Sequence, residues 1–305
     1  MASITSGMLF TVARSLGLRI ERFEPTRAVD ADTEWPGNAN WLAWTSAGEC
    51  LVLRRYHVLS AEEGLGYESA VLRHLAERGW SVPSPVTELV SFEGRFWAAT
   101  LFIPGVPHSE ETPAQRAERG ALLARLHADL RGLELGQRTE FFQACDLEAM
   151  AAYQDWDLGL EGLRKLRPEL ADRAAAAMVT AKALVAEGNL LELPQSVVHG
   201  DFASWNLHFH PDGRPAGVID FGLTHRDSRS WEFVIARVHR APELLAGYQQ
   251  EAAELGYPLA EEEIAAIPAL QRVLRVNMVM AELWNGARSG SFDVPMIERQ
   301  LTFTS

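Results

Sequence analysis

The chain has 305 residues, 47% of them hydrophobic and 23% charged, with a formal net charge of −13 at pH 7. These proportions suit a globular protein with a sizeable core, and the acidic balance excludes a non-specific binder of nucleic acid, whose phosphates need basic patches. No apolar run approaches the roughly eighteen residues that span a bilayer, so no membrane partner is expected, and the N-terminus lacks the basic leader of a signal peptide. Two cysteines, Cys50 and Cys145, make no disulfide framework, and both are expected as free thiols in a reducing cytoplasm.

In chain order, Met8 to Leu16 predicts a short helix, and Arg19 to Phe23 alternates apolar and charged residues as a half-buried strand does. Pro36-Gly37-Asn38-Ala39-Asn40 is a flexible turn ahead of Trp41 to Trp44, and Ser46-Ala47-Gly48 leads into Cys50 to Tyr56. Strands so joined make a hairpin, with a loop at its mouth whose N–H groups would fold over phosphates. Ser60 with Glu63 predicts a capping box opening a helix through Leu75, with Glu68 in its middle. Pro83 and Pro85 hold the chain extended, and Thr87 to Phe92 and Arg95 to Phe102 predict two strands about a Glu93-Gly94 turn.

The character changes at Ile103-Pro104-Gly105. Thr112-Pro113-Ala114-Gln115 starts a helix that runs to about Leu130, with Gly132 as its stop. Helical patterns follow over Asp146 to Tyr153, Glu169 to Glu187, Trp231 to Arg240, Pro242 to Leu255 and Glu261 to Trp284. The expected fold class is α+β: residues 1–103 a small strand-rich lobe with one helix, residues 104–305 a larger, mainly α-helical lobe with a polar hairpin embedded in it.

That hairpin, Ser196 to Ala236, carries the chemistry. His199-Gly200-Asp201 follows Val197-Val198, Asn206 comes five residues after Asp201, and the apolar run Ala216 to Ile219 ends on Asp220-Phe221-Gly222. A hairpin of the two apolar runs would bring Asp201, Asn206 and Asp220 to one mouth. Phosphoryl transfer needs such a set: one base to accept the substrate hydroxyl proton and two oxygen ligands for magnesium between the β- and γ-phosphates. Gly222 would let the backbone turn sharply after the ligand. His199, Asp201, His208 and His210 also invite a zinc or iron site, although their spacing completes no recognised ligand set.

The run His199-Gly200-Asp201, Trp205-Asn206 and Ile219-Asp220-Phe221-Gly222 resembles the aminoglycoside phosphotransferase family, the small-molecule branch of the protein-kinase-like fold that also includes choline, homoserine and fructosamine kinases. Ser228 to Phe233 resembles the helix start after the family's magnesium aspartate. Leu53-Arg54 with Glu68 resembles its strand-lysine and helix-glutamate pair, Ile103-Pro104-Gly105 its hinge, and Leu123 to His127 its first large-lobe helix. The resemblance implies a bilobal kinase with a small antiparallel β-sheet lobe that binds nucleotide and a larger helical lobe for catalysis and acceptor. It implies ATP and Mg²⁺ as cofactors and a small hydroxylated molecule as partner. Asp201 would be the catalytic base, Asn206 and Asp220 the metal ligands, and Arg54, oriented by Glu68, the contact to the α/β-phosphates. Backbone groups around Leu101, Phe102 and Ile103 would receive the adenine. One departure is Arg54 itself, a planar fork where the family carries the point charge of lysine.

A cationic acceptor such as an aminoglycoside fits the acidic balance, with Glu251, Glu254, Glu261, Glu262, Glu263, Glu282 and Asp157 beside Trp156 as available carboxylates. Homoserine, choline and sugar kinases share the same motifs, and a nucleotide-binding relative without transfer activity is the other reading. A protein-directed kinase is disfavoured because no Ala-Pro-Glu segment or long activation loop follows Gly222.

Overall fold

The computed structural model describes residues 4–26, 38–57, 60–107, 111–139, 141–235 and 241–302. They divide into two compact units, one of residues 1–110 with 204–222 and one of residues 111–203 with 223–305. The division therefore falls seven residues after Ile103, and the stretch from Ser204 to Gly222 belongs with the strand-rich unit rather than with the helices on either side of it.

The first unit is built on a five-stranded antiparallel sheet in the order β1-β2-β3-β5-β4. Its strands are β1 (Ile20–Pro25), β2 (Ala39–Thr45), β3 (Cys50–Arg55), β4 (Val90–Phe92) and β5 (Arg95–Leu101). Successive side chains of a strand point to opposite faces, so Leu53 and Arg54 part company. Leu53 packs with Trp41, Ala43 and Trp97 beneath Leu9 and Val12 of helix α1 (Ser6–Ser15) and its C-cap Leu16. The Trp41 and Trp97 rings stack at 5.5 Å, an arrangement worth about 1 kcal/mol beyond area burial. On the Arg54 face, Tyr56 and Ala98 pack against Leu65 of helix α2 (Glu62–Glu77).

Three local expectations are corrected here. Helix α2 is capped at Ala61 without a side-chain bond, not at Ser60, and carries Glu62 and Glu63 in its first turn, where the helix dipole favours negative charge. The strand expected from Thr87 shrinks to β4 because the Thr87 side chain takes over the pairing: Ala99 N–H donates to Thr87 Oγ1 at 2.9 Å. In the expected phosphate loop, Pro36 and Gly37 lie outside the described residues; Asn38 Oδ1 accepts the His57 N–H at 2.9 Å, and Ala39 and Asn40 already belong to β2.

The second unit is mainly helical. Helix α3 (Pro113–Leu130) starts as the sequence predicts, with the reciprocal Thr112–Gln115 capping box and proline in the first turn. It lies close against α8 (Pro242–Glu254) because Gly120 and Gly247 face each other's partner: a Cβ on Gly120 would stand 2.0 Å from Leu244 O and one on Gly247 2.1 Å from Ala117 O. Between them in sequence come α4 (Leu147–Tyr153), α5 (Trp156–Leu166), α6 (Pro168–Glu187) and α7 (Ser230–Ile235). The helix expected over Trp231 to Arg240 is described only to Ile235.

Helices α9 (Glu261–Ser289) and α10 (Val294–Thr302) complete the unit. Contrary to the expectation from the sequence, α9 is long and apolar enough to cross a membrane. Leu270, Val273, Val276, Met280 and Leu283 are nonetheless buried, in a helix packed on α5, α6, α7 and α10. That is the environment of a core helix.

The expected hairpin does not form as one piece. Strand β6 (Gln195–Val198) pairs with β9 (His225–Ser228) in the second unit, Val198 opposite His225. In the first unit, β7 (Leu207–Phe209) pairs with β8 (Pro215–Val218) across the Pro211-Asp212-Gly213 turn. The two apolar runs therefore belong to different sheets. The polar strand His225–Ser228 was missed because nothing in it alternates in hydropathy.

Candidate active site

In the first unit, three charged groups meet. Arg54 Nη1 stands 3.4 Å from Glu68 Oε1 and its Nη2 3.6 Å from Asp220 Oδ1. Glu68 is buried on α2, one helical turn before Val71 and Leu72. Burial works against the charge of Arg54, yet Glu68, Tyr56 and Asp220 outweigh it and hold its pKa above the ordinary value.

Asp220 follows β8 with φ +63°, in the left-handed region that Asp tolerates better than most residues, and its side chain is 54% exposed. The sharp turn is thus made at Asp220 itself rather than at Gly222, which lies outside the left-handed region. A Cβ at Gly222 would make only ordinary contact, 3.4 Å from both Arg54 Nη2 and Asp220 Oδ1, so neither conformation nor space demands glycine there. Asn206 closes a short 3-10 turn from Ser204 and is 4% exposed, and its carbonyl accepts the Ile219 N–H at 2.9 Å, so the two ends of the β7–β8 pair are tied beside Asp220.

An amide oxygen and an open carboxylate are the hard donors that suit Mg²⁺, which keeps most of its waters and takes few protein ligands. Among the described residues no group of three or more His, Cys, Asp or Glu is arranged to hold a metal, which removes the zinc or iron reading of His199, Asp201, His208 and His210. His208 instead donates from Nδ1 to Ile103 O at 3.0 Å. Leu101 N–H donates to Ser84 O at 2.9 Å. Phe102, between them, makes no hydrogen bond among the described residues, so its peptide groups and the Ile103 N–H are open there.

In the second unit, β6 runs into the segment from His199 to Ala203. Gly200 has φ +84°, and a Cβ on it would lie 2.3 Å from Leu223 O, so only glycine fits. Asp201 is half-buried; its N–H donates to His199 Nδ1 at 3.2 Å, which places the His199 proton on Nε2, and its carbonyl accepts the Ala203 N–H at 2.8 Å.

The segment hangs on Glu232, in α7, which sequence reasoning placed only at a helix start. Its Oε1 accepts the N–H groups of His199 at 2.5 Å and Gly200 at 3.0 Å, and its Oε2 that of Phe202 at 3.3 Å. Behind it, Arg229 donates to Glu263 Oε2 at 2.7 Å and to Tyr257 O at 2.9 Å, and the Tyr248 hydroxyl meets His127 Nδ1 at 3.0 Å. His127, the last residue of the LARLH stretch, is fully buried; burial, then Arg229 and His199, pull its pKa down to about 3, so it is neutral.

Glu232 has a measurable signature. Burial pushes its pKa up to about 7, against the backbone N–H donors of Gly200, His199 and Phe202. With the folded-state value above the unfolded one, the folded chain holds the extra proton between about pH 4.5 and 7, and this group's contribution to stability falls as pH rises through that window. Glu232→Gln offers an NH₂ where Phe202 needs an acceptor, and should cost about 1–3 kcal/mol and lower kcat. The stability gap between the two proteins should narrow by up to about 3 kcal/mol from pH 4.5 to 7, read as thermal midpoints across pH. A widening gap would show the N–H donors winning over burial.

Of the carboxylates considered for an acceptor, Glu263 is withdrawn, being 1% exposed and paired with Arg229. Glu251 pairs with Arg125 at 2.8 Å. Asp157 and Trp156 do come together, with Asp155, Glu148 and Lys182, along an open groove of ≈ 520 Å³ in the second unit.

The family model described as the phosphotransferase enzyme family matches residues 37–265. A homoserine kinase of Xanthobacter autotrophicus is 29% identical over 278 residues, covering 85% of this chain and 81% of its own. A second homoserine kinase, from Phenylobacterium zucineum, is 26% identical over 277 residues, covering 85% and 80%. Among solved structures, an amicoumacin kinase in complex with AMP-PNP and Ca²⁺ aligns with a TM-score of 0.69 at 14% identity, over 99% of this chain and 93% of its own; at that identity the likeness concerns the fold. With Arg54, Glu68, Asn206 and Asp220 on a five-stranded antiparallel unit and Asp201 on a helical one, the chain has a protein-kinase-like fold, belongs to the phosphotransferase enzyme family and is a small-molecule kinase.

Proposed function

We propose that the chain transfers the γ-phosphoryl group of ATP to the hydroxyl of a small amino alcohol, with homoserine as the first acceptor. The observation that carries the acceptor is the likeness of 85% of the chain to homoserine kinases. It reverses the preference for an aminoglycoside that the acidic composition suggested. In this reading the acceptor oxygen forms a bond to the γ-phosphorus, the bond from that phosphorus to the β–γ bridging oxygen breaks, ADP leaves, and the hydroxyl proton passes to Asp201.

Arg54, held by Glu68, lies along the α/β-phosphates, and its five N–H donors let it meet phosphate oxygens while still facing Glu68 and Asp220. The open peptide groups of Phe102, between Leu101 and Ile103, receive the adenine edge. Asn206 and Asp220 hold the metal; Mg²⁺, when bound, neutralises the charge that develops on the leaving oxygens. The same reading places the protein in the cytoplasm, where ATP is present and the free Cys50 and Cys145 stay reduced.

One observation favours a second acceptor class: along the groove where Lys182 pairs with Glu148, Asp155 and Asp157 stand beside Trp156, a carboxylate and aromatic set that suits a cationic acceptor. Acceptor-dependent ADP release, measured side by side with homoserine, choline, an aminoglycoside and a macrolide, decides between them. The highest kcat/KM should fall on homoserine. A higher value on the aminoglycoside would overturn the homoserine assignment, and binding of Mg·ATP with no product on any acceptor would reduce the chain to a nucleotide-binding relative.

A further inference from the structure

The N–H groups of residues 199, 200 and 202 end on Glu232, and the carbonyl of Phe202 ends on an arginine. Arg119, in α3, is 5% exposed, and its Nη1 donates to Phe202 O at 3.2 Å. The same guanidinium is set squarely against Glu111, with Nε and Nη2 each 2.9 Å from a carboxylate oxygen. A two-pronged contact of this kind fixes the plane of the guanidinium as well as its position. Glu111 is anchored in turn: its carbonyl accepts from Arg116 Nη1 at 2.7 Å, and Arg116 reaches Glu243 of α8 at 3.1 Å. The Phe202 ring, fully buried, stands edge-on to His199 at 5.7 Å.

Stability alone does not account for this arrangement. Removing two charges from water offsets most of what a buried ion pair gains, and a well-packed apolar pair serves the core as well or better. What an apolar pair cannot do is donate to the carbonyl of Phe202. That carbonyl belongs to the residue after Asp201, so its orientation and the backbone direction at Asp201 are set together: Glu232 fixes the peptide before Phe202 and Arg119 the peptide after it.

We propose that Arg119 is a positioning residue for phosphoryl transfer, fixing the Phe202 carbonyl and thereby the direction in which Asp201 presents its carboxylate. Glu111 serves to hold Arg119 in plane. The proposal rests on Asp201 being the base.

The test compares R119M/E111M, which removes both charges without leaving either one buried alone, with R119K and E111Q. Readouts are kcat and KM for ATP, thermal midpoint, and amide hydrogen exchange over residues 199–203. In R119M/E111M the midpoint should fall by no more than the loss of one buried hydrogen bond accounts for, and exchange should quicken in 199–203 alone. There kcat should drop about 10²-fold, as expected for a misplaced catalytic group, with KM for ATP unchanged. E111Q, which leaves Arg119 one acceptor in place of two and so frees its plane, and R119K, with one flexible donor, should each fall between the parent and the double variant. Parental kcat in R119M/E111M overturns the proposal, as does quicker exchange at 199–203 with kcat intact. Should the double variant not fold, R119K decides: parental kcat with a lowered midpoint means that Arg119 is structural only. A parental chain that transfers no phosphate to any acceptor sinks the Asp201 reading instead, and that failure is visible before any variant is made.

Discussion

Asp201→Ala should lower kcat by about 10²–10⁴-fold, the range that a positioned general base supplies, while leaving the fold and Mg·ATP binding in place. The separation is expected because the backbone bonds at Asp201 do not depend on its carboxylate. Its backbone bonds, to His199 Nδ1 and from Ala203 N–H, survive the loss of a side chain, and Glu232 goes on holding the N–H groups of His199, Gly200 and Phe202. Asp201→Asn should be nearly as slow, since an amide cannot accept the hydroxyl proton. Turnover close to that of the parent in either variant, measured as acceptor-dependent ADP release, would contradict the assignment of the base.

The second large effect is at Asp220, where two roles come apart. In the proposed reading its carboxylate is offered to the metal, and its backbone sits at φ +63°. Asp220→Ala loses both, because alanine pays roughly 1–2 kcal/mol in the left-handed region, and the variant should be less stable as well as inactive. Asp220→Asn keeps a side chain that tolerates this conformation but brings a neutral amide to the cation and to Arg54. It should fold like the parent, lose at least about 10²-fold in kcat as one element of transition-state charge stabilisation goes, and need more Mg²⁺ to reach half-maximal rate. A magnesium titration of both variants checks this, and an unchanged Mg²⁺ requirement in Asp220→Asn would remove Asp220 from the metal site.

The sequence made some of this legible and hid the rest for physical reasons. The Thr112-Pro113-Ala114-Gln115 start was readable because a capping box is local, its partners three residues apart. Arg54 and Glu68 were readable only through family resemblance, since fourteen residues separate the pair and a glutamate in mid-helix ordinarily faces water. Pairing was the least legible property. Val197-Val198 and Ala216 to Ile219 look like the arms of one hairpin, yet each takes another partner, and for β6 that partner is a strand without an apolar pattern.

Glu232 and Arg119 show the same limit at the site. One is 30 to 33 residues from the N–H groups it holds, the other 83 from the carbonyl it binds. Neither spacing carries a signal in one dimension; both are visible once the burial of a charged side chain demands its partners. The turn at Asp220 was misassigned to Gly222 because glycine is the usual residue at positive φ, and here an aspartate adopts that conformation instead.

The most direct test of the central claim is to follow ATP, Mg²⁺, homoserine and the purified chain by ³¹P NMR. A phosphate monoester resonance should grow in step with ADP, one for one, and stay absent when homoserine is omitted or when Asp201→Ala replaces the parent. ADP accompanied only by inorganic phosphate, or a monoester that forms as fast with Asp201→Ala, would contradict phosphoryl transfer to a hydroxyl at this site.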